Sequence, residues 1–470
     1  MGRQVATLIC CFLAGLGCGT MYIYSAYAPQ LASRLALRAT SVSFLGMVGN
    51  LGMAVTGPLS GSVVDRKGPR IPIVIGAIAT SLGYWIIKKS YESSNGSVPV
   101  LAFALLIVGI GSTFGFSAVV KSAALAFPRA RGFATSVPMA AFGLSAFFMS
   151  TLAAELMPGD TLGFLTMLSI VPCTLFVACL PFIRFPEGAT TETIEMKPVR
   201  TTARGHGHVR SASSVSSDSM TPDATEPAGS SLSPSGDIYG STLLRSRLFW
   251  SHFLVMGVLA GIGQMYIYSC GYCVRALLGG GTAQGDQLEG IDEAAVQTLQ
   301  SVQVSIISLS SFAGRLLSGS LSDLLAYRYK LQRTWLLVGA GLVSLSAQFA
   351  GYSVNSVNHL WLISAETGLA YGICYGSYPT IVGDAFGMKY FSQNWGLLAL
   401  SPLSVSYLFN MLFGYYYDIN SVQDSDGRQV CRQGRLCYSS AFKVTFCGAV
   451  FVIALACHVI MTQRKHDRRT

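Results

Sequence analysis

"GTMYIYSAY" occupies residues 19–27, and "GQMYIYSCGY" occupies residues 263–272. The word M-Y-I-Y-S is thus written twice, each time inside an apolar run, with Ala-Gly-rich residues upstream in "AGLGCG" and "AGIG". A second echo follows each copy. "GSVVD" at 61–65 is matched by "GSLSD" at 319–323. Two echoes in the same order predict two related halves, parallel repeats about an axis along a membrane normal.

Composition supplies the membrane. The 470 residues are 51% hydrophobic and only 11% charged, against roughly 25% charge in soluble chains. Apolar stretches near ~20 residues recur, the length a helix needs to cross a ~30 Å hydrocarbon core. They are continuously apolar rather than alternating, which argues against barrel strands. The first begins beside Met1. It is too long for a signal peptide and shows no small-residue cleavage site, so it is expected to be retained.

Twelve spans are predicted, near 5–28, 42–64, 71–90, 98–126, 132–154 and 161–183, then 248–274, 296–321, 334–353, 359–383, 391–415 and 441–462. They are numbered one to twelve below. The expected fold is an all-α membrane protein: a six-helix bundle over 1–183, a linker over 184–247, and a second six-helix bundle over 248–470 with a short tail. The linker is rich in Ser, Thr, Pro and Gly, a composition that buries too little surface to fold. Within it, "HVRSASSVSSDS" at 208–219 puts an arginine ahead of several serines and marks Ser211–Ser219 as a candidate phosphorylation region.

Charge predicts the orientation. Arg66, Lys67, Arg70, Arg129, Arg131, Arg328, Lys330, Arg333 and the basic tail share one side, and they outnumber the cations of the other. Both termini are therefore expected in the cytoplasm. The net charge of +10 reads as topology and attraction to anionic lipid. No basic motif with interleaved aromatics suggests nucleic acid. No P-loop, zinc spacing or nucleophile triad points to an enzyme, a cofactor or a metal. Most of the 12 cysteines lie in spans as small apolar fillers. Cys431 and Cys437 differ, flanking "RQGRL" in the last outer loop, where a local disulfide can form on an oxidising side.

The loop "GPLSGSVVDRKGPR" at 57–70 resembles the G-x-x-x-D-R-x-G-x-R motif of the major facilitator superfamily, here Gly61, Asp65, Arg66, Gly68 and Arg70. A small Gly61 lets helices approach. Asp65 can hold a charge pair across an inner gate, Gly68 permits a tight turn, and Arg66 and Arg70 are the expected partners. The resemblance implies that this cluster stabilises an outward-facing state. In the second half only Gly319 and Asp323 survive, so the gate is expected to lean on the first.

"GTMYIYSAYAPQL", "GQMYIYSCGY", "FSQNWGLLALSP", "FGYYYD" and "CRQGRLCYSSAF" are similar to a fungal nodulin-like-domain branch related to the monocarboxylate transporters. That resemblance implies a monomeric carrier of a small-molecule solute in the vacuolar or plasma membrane, with protons as candidate coupling ions. It also implies that spans one, four, seven and ten line a central cavity. Tyr22, Tyr24, Tyr266 and Tyr268 are then candidate solute contacts, each with an apolar ring and a hydroxyl. The alternative is helix packing. Asn394 and Asn410 of span eleven suit either solute contact or backbone bonding between helices.

Charges within spans are costly and usually functional. Three stand out: Lys121, Arg315 and Glu366. Arg315 precedes Asp323 by ~12 Å of helix, near mid-membrane. "RLLSG" at 315–319 resembles the R-x-x-x-G setting of the arginine that holds carboxylate in monocarboxylate transporters, a role suited to the guanidinium fork. The alternative is a structural ion pair. Two departures put that family's proton chemistry in question: Ser311 replaces the acid one turn earlier, and Gln30 replaces the lysine after Pro29. Glu366 and Lys121 remain candidates for proton coupling. Otherwise Glu366 is a hydrogen-bonded carboxyl, and Lys121 snorkels to the inner surface. His252 is expected at the interface.

The expected function is secondary or facilitative transport of a monocarboxylate-like anion by rocking of the halves. The alternatives are a carrier of neutral or drug-like solutes, or a non-transporting receptor or scaffold. A collapsed, wholly apolar centre would mark the last of these.

Overall fold

The computed structural model describes residues 2–35, 37, 39–94, 97–157, 160–185, 237–279, 293–423, 429–431 and 433–467. The candidate phosphorylation stretch 208–219 lies outside them, as does most of the predicted linker.

Twelve helical spans are found among the described residues. In the first half they are Gly2–Arg34, Ala39–Lys67, Arg70–Glu92, Val98–Ala126, Arg131–Leu156 and Thr161–Cys179. In the second they are Arg247–Gly279, Glu293–Tyr327, Trp335–Ser353, Leu360–Phe386, Phe391–Ile419 and Ser439–Asp467. Ten are both long and apolar enough to cross a membrane. The other two, spans two and ten, are 29 and 27 residues long but are diluted by glycines and polar residues.

Two spans are broken. Span one changes from α to a tighter 3-10 turn over Gly19–Ile23, then resumes as Tyr24–Arg34. Span eleven stops at Leu398 and restarts at Ser401, with Pro402 in the new first turn. Proline is at home there, because its missing N–H would have no partner in a first turn anyway.

The halves repeat one packing scheme. Span one touches four, five and six, as seven touches ten, eleven and twelve. Span four touches two and three, as ten touches eight and nine. Spans three and six meet, and so do nine and twelve. Between halves, five packs on eight and ten, while eleven packs on two and four. Exchanging the halves maps each contact onto another, so the doubled sequence has become a doubled structure.

The N-terminus, the span four–five turn and the end of span six share one end of the bundle. Gln4 Nε2 donates to the Ala126 carbonyl at 3.1 Å, and the Thr7 hydroxyl donates to the Phe182 carbonyl at 3.1 Å. We call this the inner end. The halves meet there. At the opposite end, Tyr24–Arg34 and Ser401–Ile419 pack chiefly within their own halves, so the bundle is joined inside and parted outside. Near the outer end, strands Val422–Gln423 and Gln429–Val430 pair antiparallel, and Cys431 is bonded to Cys437.

One boundary differs from the sequence-based expectation. Residues 237–247 belong to the predicted linker, yet they are ordered against the second half. A short helix spans Gly240–Arg245, and Leu243 is fully buried. The expectation rested on the Ser/Pro composition of the whole segment. The return of Ile238, Tyr239, Leu243 and Leu244 supplies enough apolar surface to dock.

Candidate functional site: a double clamp and an aromatic centre

The inner end is closed by two aspartates, one from each half. Asp65, at the end of span two, accepts from the backbone N–H groups of Ser392 at 3.2 Å and Gln393 at 2.9 Å, in the first turn of span eleven. Asp323, at the matching place in span eight, accepts from Gly132 and Phe133 at 2.9 Å each, in the first turn of span five. A helix N-terminus leaves N–H donors unpaired and carries partial positive charge. Each half thus plugs a carboxylate into a helix start of the other.

Each carboxylate also meets a buried cation. Lys121 Nζ lies 2.5 Å from Asp65 and donates to the Lys389 carbonyl at 3.0 Å. Arg333 lies 2.8 Å from Asp323 and 2.8 Å from Asp384. Arg131 adds a looser contact to Asp384 at 3.9 Å. Burial opposes the charge on Arg333, but Asp384 and Asp323 outweigh it and raise its pKa.

Three expectations change here. Arg66 and Arg70 are exposed; the buried partner of Asp65 is Lys121, reached from span four. Lys121 therefore neither snorkels nor faces the centre, because its side chain is only 5% accessible. The gate does not lean on the first half. Asp323 finds its arginine across the span eight–nine turn, so it needs no adjacent D-R-x-G. Gly68 does take the left-handed conformation expected of it, with φ +78°.

Small residues make the clamps possible. A Cβ on Gly61 would fall onto the backbone of Ser392, and one on Gly319 onto the Gly132 carbonyl and Ser136. Gly61→Leu should therefore force span two off span eleven and open the inner end. Faster alkylation of an inner-end cysteine would show this; parent-like rates in a folded variant would not fit.

Arg315 sits further along span eight and is 3% exposed. Its Nη1 donates to the Met139 carbonyl of span five at 2.5 Å. Its guanidinium carbon lies 5.6 Å from the Tyr375 ring and 6.0 Å from the Tyr371 ring, within reach of cation–π attraction. Its Nε has no hydrogen-bond partner among the described residues. Gly143 leaves it room, since a Cβ there would come within 2.6 Å of Nη1.

Rings collect around this group. Tyr371 and Tyr375 are 4.7 Å apart, and Gln264 Nε2 donates to the Tyr371 hydroxyl at 3.3 Å. Tyr22 meets Phe142 edge-on at 5.4 Å, and Phe142 meets Phe116 at 4.5 Å. Tyr22 is close enough to Tyr268, Tyr371 and Tyr375 to interact electrostatically with them. Tyr268 is 54% accessible.

Of the four tyrosines in the repeated word, only Tyr22 and Tyr268 reach this centre. Tyr24 donates to the Val42 carbonyl at 2.8 Å, and Tyr266 is buried beside Ser364 at 2.7 Å. Tyr22 corresponds to Tyr266 in the repeat, so the phase differs between copies. The 3-10 turn in span one rotates its tyrosines relative to the continuous α-helix of span seven. Asn394 donates to the Ile238 carbonyl and Asn410 to the Ser406 carbonyl, each at 2.8 Å; both bond backbone away from the centre. Glu366 accepts from Ser346 at 3.0 Å between spans ten and nine. His252 is buried between spans seven and ten rather than interfacial.

The sequence reading missed Tyr371, Tyr375, Gln264, Phe116 and Phe142. A signal existed for two of them. Tyr371 and Tyr375 have i, i+4 spacing, which places them on one face of span ten.

Comparison with known proteins follows the same lines. A membrane protein of Saccharomyces cerevisiae, YMR155W, is 29% identical over 94% of this chain and 92% of its own length. Probable transporter MCH1 of Wickerhamomyces anomalus is 24% identical over 88% of this chain and 78% of its own. A bacterial homologue of the iron transporter ferroportin, solved in an outward-facing state, superposes with a TM-score of 0.60 at 12% identity, covering 97% of this chain and 99% of that one. The transporter FucP in its outward conformation gives 0.56 at 10% identity, covering 96% and 99%. These two likenesses concern the fold. The model of the Major Facilitator Superfamily matches residues 7–410, from the first span into the eleventh, and the chain belongs to that superfamily.

Proposed function

We propose that the protein is a secondary or facilitative transporter of a small organic anion of the monocarboxylate type, and that it works by alternating access with Arg315 as the anion anchor. The observation that carries this reading is the guanidinium itself. It is buried among aromatic rings and meets a backbone carbonyl, with one N–H unpartnered among the described residues. A buried charge without a counter-charge is costly. A carboxylate arriving in the centre would supply that counter-charge through the guanidinium fork, and the rings would cover its apolar part.

The inner clamps and the parted outer ends support an outward-facing resting arrangement, with the termini in the cytoplasm. Transport is further supported by relatives named as probable transporters. A centre holding Arg315, Gln264 and four tyrosines is not wholly apolar, which disfavours the scaffold reading. Proton coupling through Glu366 or Lys121 gains no support from their positions, between spans nine and ten and inside the inner clamp.

Ligand-dependent melting of the purified protein tests the anchor. Carboxylates should raise Tm progressively with their concentration, and their neutral amides should not. Equal shifts by acids and amides would favour the neutral-solute reading.

A further inference from the structure

The inner clamp has a second side. The loop between spans ten and eleven, together with the start of span eleven, is gripped by the first half through Asp65 and Lys121. The same loop is gripped from elsewhere by residues 237–239. Ile238 N–H donates to the Phe386 carbonyl at 3.1 Å. Asn394 Nδ2 donates back to the Ile238 carbonyl at 2.8 Å. Lys389 N–H points to Asp237 Oδ1 at 3.4 Å. Tyr239 stacks on Tyr390 with ring centres 3.8 Å apart. Gly387, at φ +87°, has Asp237 where a Cβ would stand. Five positions between Phe386 and Asn394 are thus met by three residues that lie just ahead of span seven.

We infer that residues 237–239 are a strap that positions the span ten–eleven loop for the inner clamp, with Asp237, Ile238 and Tyr239 as positioning residues of the gate. Among the described residues the strap's hydrogen bonds and its ring stack are made to the second half, so it travels with that half when the clamp parts. Its effect is to hold the Lys389 carbonyl and the Ser392 and Gln393 N–H groups where the first half's charges meet them. Ordering a loop costs conformational entropy. A clamp that meets a loop already ordered does not bear that cost when it closes, so closure is favoured. The other end of the inter-half segment converges on the same place, where the Phe185 ring lies 5.4 Å from Lys121 Nζ. This inference rests on the alternating-access reading, not on the identity of the solute.

The test measures the gate directly. Spin labels on cysteines placed at Lys67 and Tyr329, both exposed at the inner end, report the distance between halves by pulsed dipolar spectroscopy. The exposed native Cys447 is replaced beforehand. The parent should show mainly the short, closed distance. Asp237→Ala with Tyr239→Ala should enlarge the long-distance fraction several-fold. Asp237→Asn, which keeps an acceptor for Lys389 N–H, and Tyr239→Phe, which keeps the stack, should restore the parent distribution. A folded double-alanine variant with the parent distribution overturns the strap. Should that variant fail to fold, Tyr239→Ala alone decides, because that ring is 47% exposed and its loss leaves the core intact. No solute is present, so a protein that never carries a carboxylate can still confirm or refute the strap. A parent already open at the inner end would refute the gate itself.

Discussion

Arg315→Ala should lower carboxylate uptake by about 10- to 100-fold while the protein still reaches the membrane. A charge-assisted hydrogen bond contributes about 1.5–3 kcal/mol, and each ~1.4 kcal/mol is tenfold in an equilibrium. The substitution removes the fork from a place where Tyr371, Tyr375 and Gln264 provide no second cation. Arg315→Lys keeps a charge but not the planar pair of donors; it should fall between parent and alanine. Gly143→Ala should mimic part of the defect without touching the arginine's chemistry, because the new methyl displaces Nη1. Uptake by the alanine and lysine variants at the parent rate would remove Arg315 from the site. If Arg315→Ala instead fails to fold and loss of an intramembrane acid rescues it, Arg315 is a structural partner.

Asp65→Asn should shift the resting equilibrium toward an open inner end by about one to two orders of magnitude. The clamp buries Lys121 against Asp65. Removing one member of a buried pair generally costs about 3–5 kcal/mol, because the other charge is left uncompensated. Asparagine still accepts one N–H from span eleven, so the net penalty on the closed state should be smaller, about 1.5–3 kcal/mol, taking ~1.4 kcal/mol per tenfold. Asp323→Asn should shift the gate less. Its cation, Arg333, retains Asp384 at 2.8 Å, whereas Lys121 is left with the Lys389 carbonyl and the Phe185 ring, neither of which carries a full negative charge. The label pair at Lys67 and Tyr329 reads both. Parent-like distances in both variants would mean that the clamps are ornaments of a gate closed by other contacts. A larger shift from Asp323 than from Asp65 would reverse the assigned roles.

How much of this was legible beforehand depends on the kind of interaction. Apolar length and the M-Y-I-Y-S repeat are one-dimensional signals, and they sufficed for twelve spans and two halves. The clamp of the first half was legible because its glycine, aspartate and turn are adjacent in 61–70. Its mate was not. Asp323 pairs with Arg333 across a turn and with backbone donors of span five, none of which leaves a local motif. Lys121 was misjudged for the same reason: its partner, Asp65, lies on another helix, span two. The tyrosines failed differently. Their identities repeat, but a 3-10 turn over Gly19–Ile23 turns Tyr22 inward where an unbroken helix turns Tyr268 inward. Helical phase past such a turn cannot be read from spacing. The strap at 237–239 was hidden by the composition of its neighbours, although Ile238 and Tyr239 already break the polar run.

Uptake by the unmodified protein in sealed vesicles is the measurement that bears most directly on the central claim. Purified protein is reconstituted at neutral pH, and labelled carboxylates and their neutral amides are offered from outside, with and without a proton gradient. The double-clamped, outward-parted bundle, with Arg315 meeting a carbonyl and rings but no carboxylate among the described residues, predicts saturable uptake of at least one carboxylate class over protein-free vesicles and no uptake of the matching amide. Uptake of amides and acids alike, or of neither under any gradient, would contradict it.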